Sequence, residues 1–444
     1  MKEQTQKYVE YFTGWERRLN GASHTPVHAL RKAALQKFVS LGFPTTKDEE
    51  WRFTNVTPIA AGDFHPVLDS ADHAAIEGDV SRQALPVADA VRLVFVDGHY
   101  VQGLSKVGHL PPGADIGSLA EAIAKDPEFI QRQLEGRSAF GENAFTALNT
   151  AFLIDGAFIR LPDGLEMKSP IHCLFLASGG KDPFLSTPRN LILVGRNASV
   201  SIVETYASTG RNIHWTNVLT EVRVGEGALV EHDRIQIESA DAFHVGTVRI
   251  LQERESKVTA NSITLGGKLV RNDVTAVFGG DDAECTLNGL SVATGDQHVD
   301  NHTVIDHALP NCASHELYKS ILDGRARGVF NGKIFVRKDA QKTDAKQTNK
   351  TLLLSDDATI DTKPQLEIFA DDVKCTHGAT VGQLDDEQVF YLRSRGIGEA
   401  DARDLLTLAF ATDIINRIHV EPLRAVLDTL LRARLRQGRV ADEG

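Results

Sequence analysis

Cys375 and His377 stand two residues apart in the segment Asp371 to Thr380, so on an extended strand both side chains leave the same face. A thiolate and an imidazole on one face can ligate iron or copper, and the neighbouring Lys374 favours the thiolate. The plainer reading is a buried structural cysteine beside a capping histidine. His298, His302 and His307, interleaved with Asp300 and Asp306, form a second cluster. On one strand His298 and His302 would lie about 13 Å apart at ~3.3 Å per residue, too far to share a metal that holds each nitrogen at ~2 Å. They are expected to be hydrogen-bonding or solvated histidines. The remaining cysteines, Cys173, Cys285 and Cys312, are widely spaced without a C-x-x-C pair, which suits reduced core thiols better than a disulfide framework.

Other chemistries lack a seat. There is no G-x-x-x-x-G-K-[ST] loop, and Gly396-Ile397-Gly398 lacks both a third glycine and a preceding strand, so ATP hydrolysis by this chain is not expected. H-E-x-x-H and G-x-S-x-G are also missing. A net charge of −12 has the wrong sign for a protein that spreads over nucleic acid or anionic lipid. The N-terminal MKEQTQKYVEYF breaks its apolar residues with charge and carries acids early, unlike a signal or transit peptide. The stretch Phe145 to Leu161 contains Asn149, Asp155 and Arg160, short of the roughly 18 uncharged residues of a membrane span. A soluble, cytoplasmic protein is expected.

The elements that must position these residues fall into three blocks. Residues 1–154 read as mostly helical: 28–39 has apolar spacings of three and four stopped by Gly42-Phe43-Pro44, Thr46 and Glu49 form a capping-box pattern, and 121–134 and 144–153 are further helices. From 155 to 385 the period becomes alternating. A turn, an alanine and a strand recur at Ala198 and Ala228, 30 residues apart (228 − 198 = 30), and again near Ala283, Ala326 and Ala358. Strand-rich units of this length coil into a parallel β-helix, or pair as an antiparallel β-sandwich. Residues 386–444 return to helical periodicity, with a stripe of Ala402, Leu405, Leu406, Ala409 and Phe410 that either packs on its own domain or faces a partner.

A dense set of motifs then narrows the choice. Leu317-Tyr318-Lys319, Phe330-Asn331-Gly332-Lys333, Asp339 to Ala345, Gln347, Asn349, Leu352 to Ser355, Lys363 to Ile368, Asp371 to Thr380 and Phe390-Tyr391-Leu392, with the N-terminal Asp48 to Thr54, closely resemble the SufB/SufD family of iron–sulfur cluster assembly proteins. Cys-x-His-Gly-Ala-Thr and the chain length resemble its SufD branch. The resemblance implies a right-handed parallel β-helix between helical domains, and a non-catalytic scaffold subunit that pairs with SufB through the β-helices. It implies that the C-terminal helices, through Leu405, Leu406 and Phe410, bind SufC, whose ATPase supplies the missing phosphate loop. It places nascent cluster formation or iron entry at His377, a transient metal ligand, with Cys375 a weaker candidate. No tightly bound cofactor is implied, only transient iron or a cluster at the SufB interface; a homodimer of the isolated chain stays open. A β-helix polysaccharide-active enzyme and an independent metal-binding protein are the alternatives, and neither finds its acidic row or full ligand set in the sequence.

Overall fold

The computed structural model describes residues 2–19, 25–70, 76–87, 90–134, 143–179 and 182–442. Parallel strands dominate, coiling through about seven turns of a β-solenoid flanked by helices at both chain ends. Successive strands alternate between an 11-stranded and a 10-stranded sheet, so each strand pairs in parallel with the strand two further along the chain. An antiparallel sandwich is thereby excluded. The reason lies at the corners. Asn197, Gly227, Glu255, Asp282, Asn311 and Lys342 each adopt a positive φ, one per coil, and each is followed by a small, fully buried residue: Ala198, Ala228, Ser256, Ala283, Cys312 and Thr343. Only one of those corner residues is glycine. The alanine repeat read from the sequence therefore needs correction: Ala326 and Ala358 lie on the opposite corner, before the strands Arg327–Val336 and Thr359–Ile368.

Several local expectations also shift. The helix expected at 28–39 runs Pro26–Leu41, preceded by the helix Lys2–Glu16; Thr25 begins it by accepting from the His28 backbone N–H and Gly42 ends it with φ 66°. Thr46 and Glu49 form no capping box, because Asp48 instead accepts from both the backbone N–H and hydroxyl of Thr45 and leads into a short 3-10 turn, Glu49–Trp51. The candidate at 121–134 is two helices, Leu119–Lys125 and Pro127–Leu134; proline cannot continue a helix but suits its first turn, and Asp126 caps the Phe129 N–H. The sheets reach N-terminal of residue 155, since Val91–Val96 pairs in parallel with Ile171–Ala177.

The C-terminal helices cover the 10-stranded sheet and most of the N-terminal ones the 11-stranded sheet, while Ile76 and Val80 of the N-terminal block pack on Val94 and Leu174 of the 10-stranded sheet. Aromatic residues Tyr8, Phe12, Trp15, Phe38, Phe43 and Phe145 pack with Trp215 and Phe243 on the outer face of the 11-stranded sheet. At the other end of the chain, the helices Glu399–Ile415 and Glu421–Asp442 set Ala411, Ile414, Ile415, Leu423 and Leu427 against Ile235, Ile263, Leu290 and Ile321 of the 10-stranded sheet. Residues 443 and 444 of the third sequence block lie outside the described residues. No described helix is long and apolar enough to cross a membrane.

Candidate functional site

Both sheets end in edge strands, each paired on one side only. Thr359–Ile368 closes the order of one sheet and Lys374–Gly382 that of the other, and their side chains are half-buried to exposed where earlier strands are buried. Pro364 sits mid-strand in the first of them, a position tolerated at a sheet edge because no ladder bond need be donated outward. Apolar side chains surround this end: Ile368, Phe369 and Val381 are 39%, 59% and 45% exposed. Two rows of backbone groups and an apolar rim are a template for another chain.

Cys375 and His377 lie on the second edge strand, and the register shows where they point. Val230, Val258, Cys285, Ser314, Ala345 and Cys375 stack as one inward column; His232, Ala260, Leu287, Glu316, Gln347 and His377 stack as the next. Every member of both columns before the last strand is buried. The final rung has no covering coil, so His377 is inward-facing yet exposed, at the open end of the solenoid. The structure thus brings the two predicted residues to one face, as alternation requires. It does not activate the thiol. Cys375 packs against the cluster of Ile334, Val336, Ala340 and Ala345, and burial pushes its pKa up, partly offset by the Ala345 backbone N–H. The thiolate favoured by Lys374 is corrected: Lys374 adjoins Cys375 in sequence but leaves the opposite face.

The interior beneath these residues is polar where apolar packing is usual. Glu316, 3% exposed, accepts from the Gln347 side-chain N–H at 2.7 Å, and burial raises its carboxyl to about 7 despite that hydrogen bond. Gly332 leaves room for the Gln347 amide, since a Cβ there would stand 2.7 Å from the amide carbon. Sequence reading had no role for Glu316 and none for Gln347 beyond its motif. The signal was the coil interval itself, 31 and then 30 residues (347 − 316 = 31; 377 − 347 = 30), which puts them in line with His377.

The remaining candidates are dispersed. His298 and His302 face outward beneath the Glu49–Trp51 turn, His298 against the Thr54 hydroxyl at 2.9 Å and His302 between Glu50 (3.3 Å) and Asp300 (3.1 Å). His307 points inward to Ser314 Oγ at 2.8 Å. They are hydrogen-bonding histidines on two faces. Cys173, Cys285 and Cys312 are buried, with thiols raised by burial, to about 11 for Cys312. On the tail, Lys319 donates to the Phe410 carbonyl at 3.0 Å, pairs with Asp413 at 2.8 Å and sits over the Phe410 ring, so Phe410 packs on the solenoid. Leu406 is half-buried, and Leu405 is 45% exposed on the outward side. Phe390 and Tyr391, on the helix Asp386–Ser394, are exposed too.

Comparison with known proteins follows the same lines. Residues 175–410 match the SUF system FeS cluster assembly SufBD core domain, and residues 2–173 match the SufBD protein N-terminal region. The chain is 38% identical over 406 residues to an iron–sulfur cluster assembly SufBD family protein of Synechocystis, covering 89% of this chain and 88% of that protein. It is 32% identical over 401 residues to the iron–sulfur cluster assembly protein SufD of Escherichia coli, covering 88% and 89%. A chloroplastic Arabidopsis thaliana protein, ABCI7, is 29% identical over 416 residues, covering 91% and 85%.

Proposed function

The chain belongs to the SufBD family of iron–sulfur cluster assembly proteins, and from that premise we propose that it is the non-catalytic SufD-type scaffold subunit of a SufB–SufC–SufD complex. The observation that carries this reading is the open end of the solenoid. Two parallel edge strands with free outer edges and an apolar rim invite a second solenoid to continue both sheets, and His377 lies where such a partner would cover it. SufB is the partner proposed there. Iron or a nascent cluster is held transiently at that interface as cargo, with His377 as a ligand through a neutral imidazole nitrogen. Cys375, half-buried and with a raised thiol pKa, has the smaller part. No tightly bound cofactor is proposed.

ATP hydrolysis belongs to SufC. The outward side of the tail, with Leu405 and Leu406, is the proposed SufC contact, while Phe410 anchors the tail to the solenoid through Lys319. The cytoplasm is the proposed compartment. The test is co-expression of the tagged chain with SufB and SufC from the same source. Co-purification of both partners is expected; recovery of the tagged chain alone under gentle conditions would sink the scaffold reading.

A further inference from the structure

Two polar side chains are buried directly beneath an exposed histidine, and each leaves one side-chain oxygen, Oε1, without a hydrogen-bond partner. The Gln347 side-chain N–H donates to Glu316 Oε2 at 2.7 Å, which turns the amide oxygen away from the carboxylate. That oxygen, Oε1, is fully buried and has no hydrogen-bond partner. A buried acceptor left unpaired is destabilising, so the fold retains a group that calls for a donor. The next residue along the column is His377, one strand on, at the ~4.8 Å spacing of paired strands. Its imidazole belongs to the same column, on a ring that no covering coil restrains.

We propose that Gln347 and Glu316 are positioning residues for His377. Gln347 Oε1 accepts one imidazole N–H, and the Glu316 carboxylate behind it holds the amide so that the oxygen faces the ring. The other ring nitrogen is thereby left as a lone pair turned toward the open end, ready for a divalent iron. This is the arrangement by which partners behind a metal-binding histidine select its tautomer, here with an amide between carboxylate and ring. Gly332 belongs to the same device, because any larger residue would displace the amide. The inference rests on the reading of His377 as an iron or cluster ligand.

Two measurements test it. The first is the histidine tautomer in the 15N-histidine-labelled full chain by long-range 1H–15N NMR, with His377 identified by its loss in His377→Ala. The second is iron and acid-labile sulfide per complex co-purified with SufB and SufC. One neutral His377 tautomer is expected in the wild type. Gln347→Leu should return the tautomer mixture of an unconstrained imidazole and lower cluster content about 10- to 100-fold, the range for lost partners behind a metal-bound histidine. The double variant Glu316→Gln, Gln347→Glu rebuilds both hydrogen bonds with the charge moved one strand, and should restore the single tautomer. Wild-type tautomer and cluster content in Gln347→Leu would overturn the inference, while cluster loss in His377→Ala would still uphold the functional reading. Clusters retained in His377→Ala would remove that reading, and the tautomer in Gln347→Leu would still decide the hydrogen bond. Should Gln347→Leu fail to fold, the double variant decides: a single tautomer supports the inference and a mixture overturns it.

Discussion

His377 is exposed only because the solenoid stops there; in any earlier coil the same column position is core. Its side chain therefore contributes little to folding, and His377→Ala should leave subunit ratios unchanged while iron and acid-labile sulfide in the complex fall sharply. Cys375→Ala should have a milder effect on the same measurement, because its thiol packs against Ala345 and Ile334 and is held protonated by burial. Loss of the complex in His377→Ala would make the residue structural instead. Glu316 yields a pH prediction. Its pKa, about 7 in the fold against an ordinary 4.5, is raised, so the stability contributed by the neutral carboxyl is full below about pH 4.5 and is lost as pH rises through 7. A shift of that size is worth roughly 3 kcal/mol. Urea midpoints at pH 5 and pH 8 should show the wild type losing more stability than Glu316→Gln; equal losses would mean that Glu316 is solvated.

The tail helices present two faces, one packed on the solenoid and one exposed, the latter the proposed SufC contact. Ala411, Ile414 and Ile415 face the 10-stranded sheet, and the Lys319 ammonium ties down the turn of helix at Phe410 and Asp413. Leu405→Asp should then leave the circular dichroism melt unchanged and weaken SufC capture, since a charge on an exposed position disturbs only a partner. Phe410→Asp should lose SufC capture and also destabilise the chain by roughly 2 kcal/mol, because it puts a carboxylate into a packed contact. Identical melts for the two variants would show that Phe410 is not an anchor. The amphipathic stripe was legible in the sequence as a stripe. Which of its members faced inward was not, because helical periodicity gives a direction relative to the helix axis and none relative to a sheet whose contacting Lys319 lies 91 residues from Phe410.

For the whole molecule, the decisive feature is an elongated fold with one end left open. Charged residues in place of the apolar rim, Ile368→Lys with Val381→Lys, should leave the fold intact and abolish pairing with SufB, read as the loss of the heterodimer in analytical ultracentrifugation. Retained pairing would place the interface elsewhere. The lone chain should hydrolyse no ATP, as it lacks the loop of backbone N–H groups and lysine that holds phosphates. Robust turnover by the purified chain would contradict the scaffold reading.

By itself the sequence determined the class of the molecule and the shared face of Cys375 and His377. Alternation between 155 and 385 demanded strands, helical periodicity at both ends demanded helices, and Cys375 with His377 had to share a face because a strand repeats every two residues. The coil period was only half legible, since corners that need a positive φ are met here by Asn, Asp, Glu and Lys as well as Gly, and so leave no constant letter. The tertiary structure alone decided which residues two strands apart became neighbours. Glu316, Gln347 and His377 meet because strands two apart stack in parallel, an outcome of corner geometry accumulated coil by coil. Burial, too, was decided only there: Lys374 beside Cys375 in the chain suggested a thiolate, but the coil beneath covers the sulfur with apolar side chains and keeps its proton on.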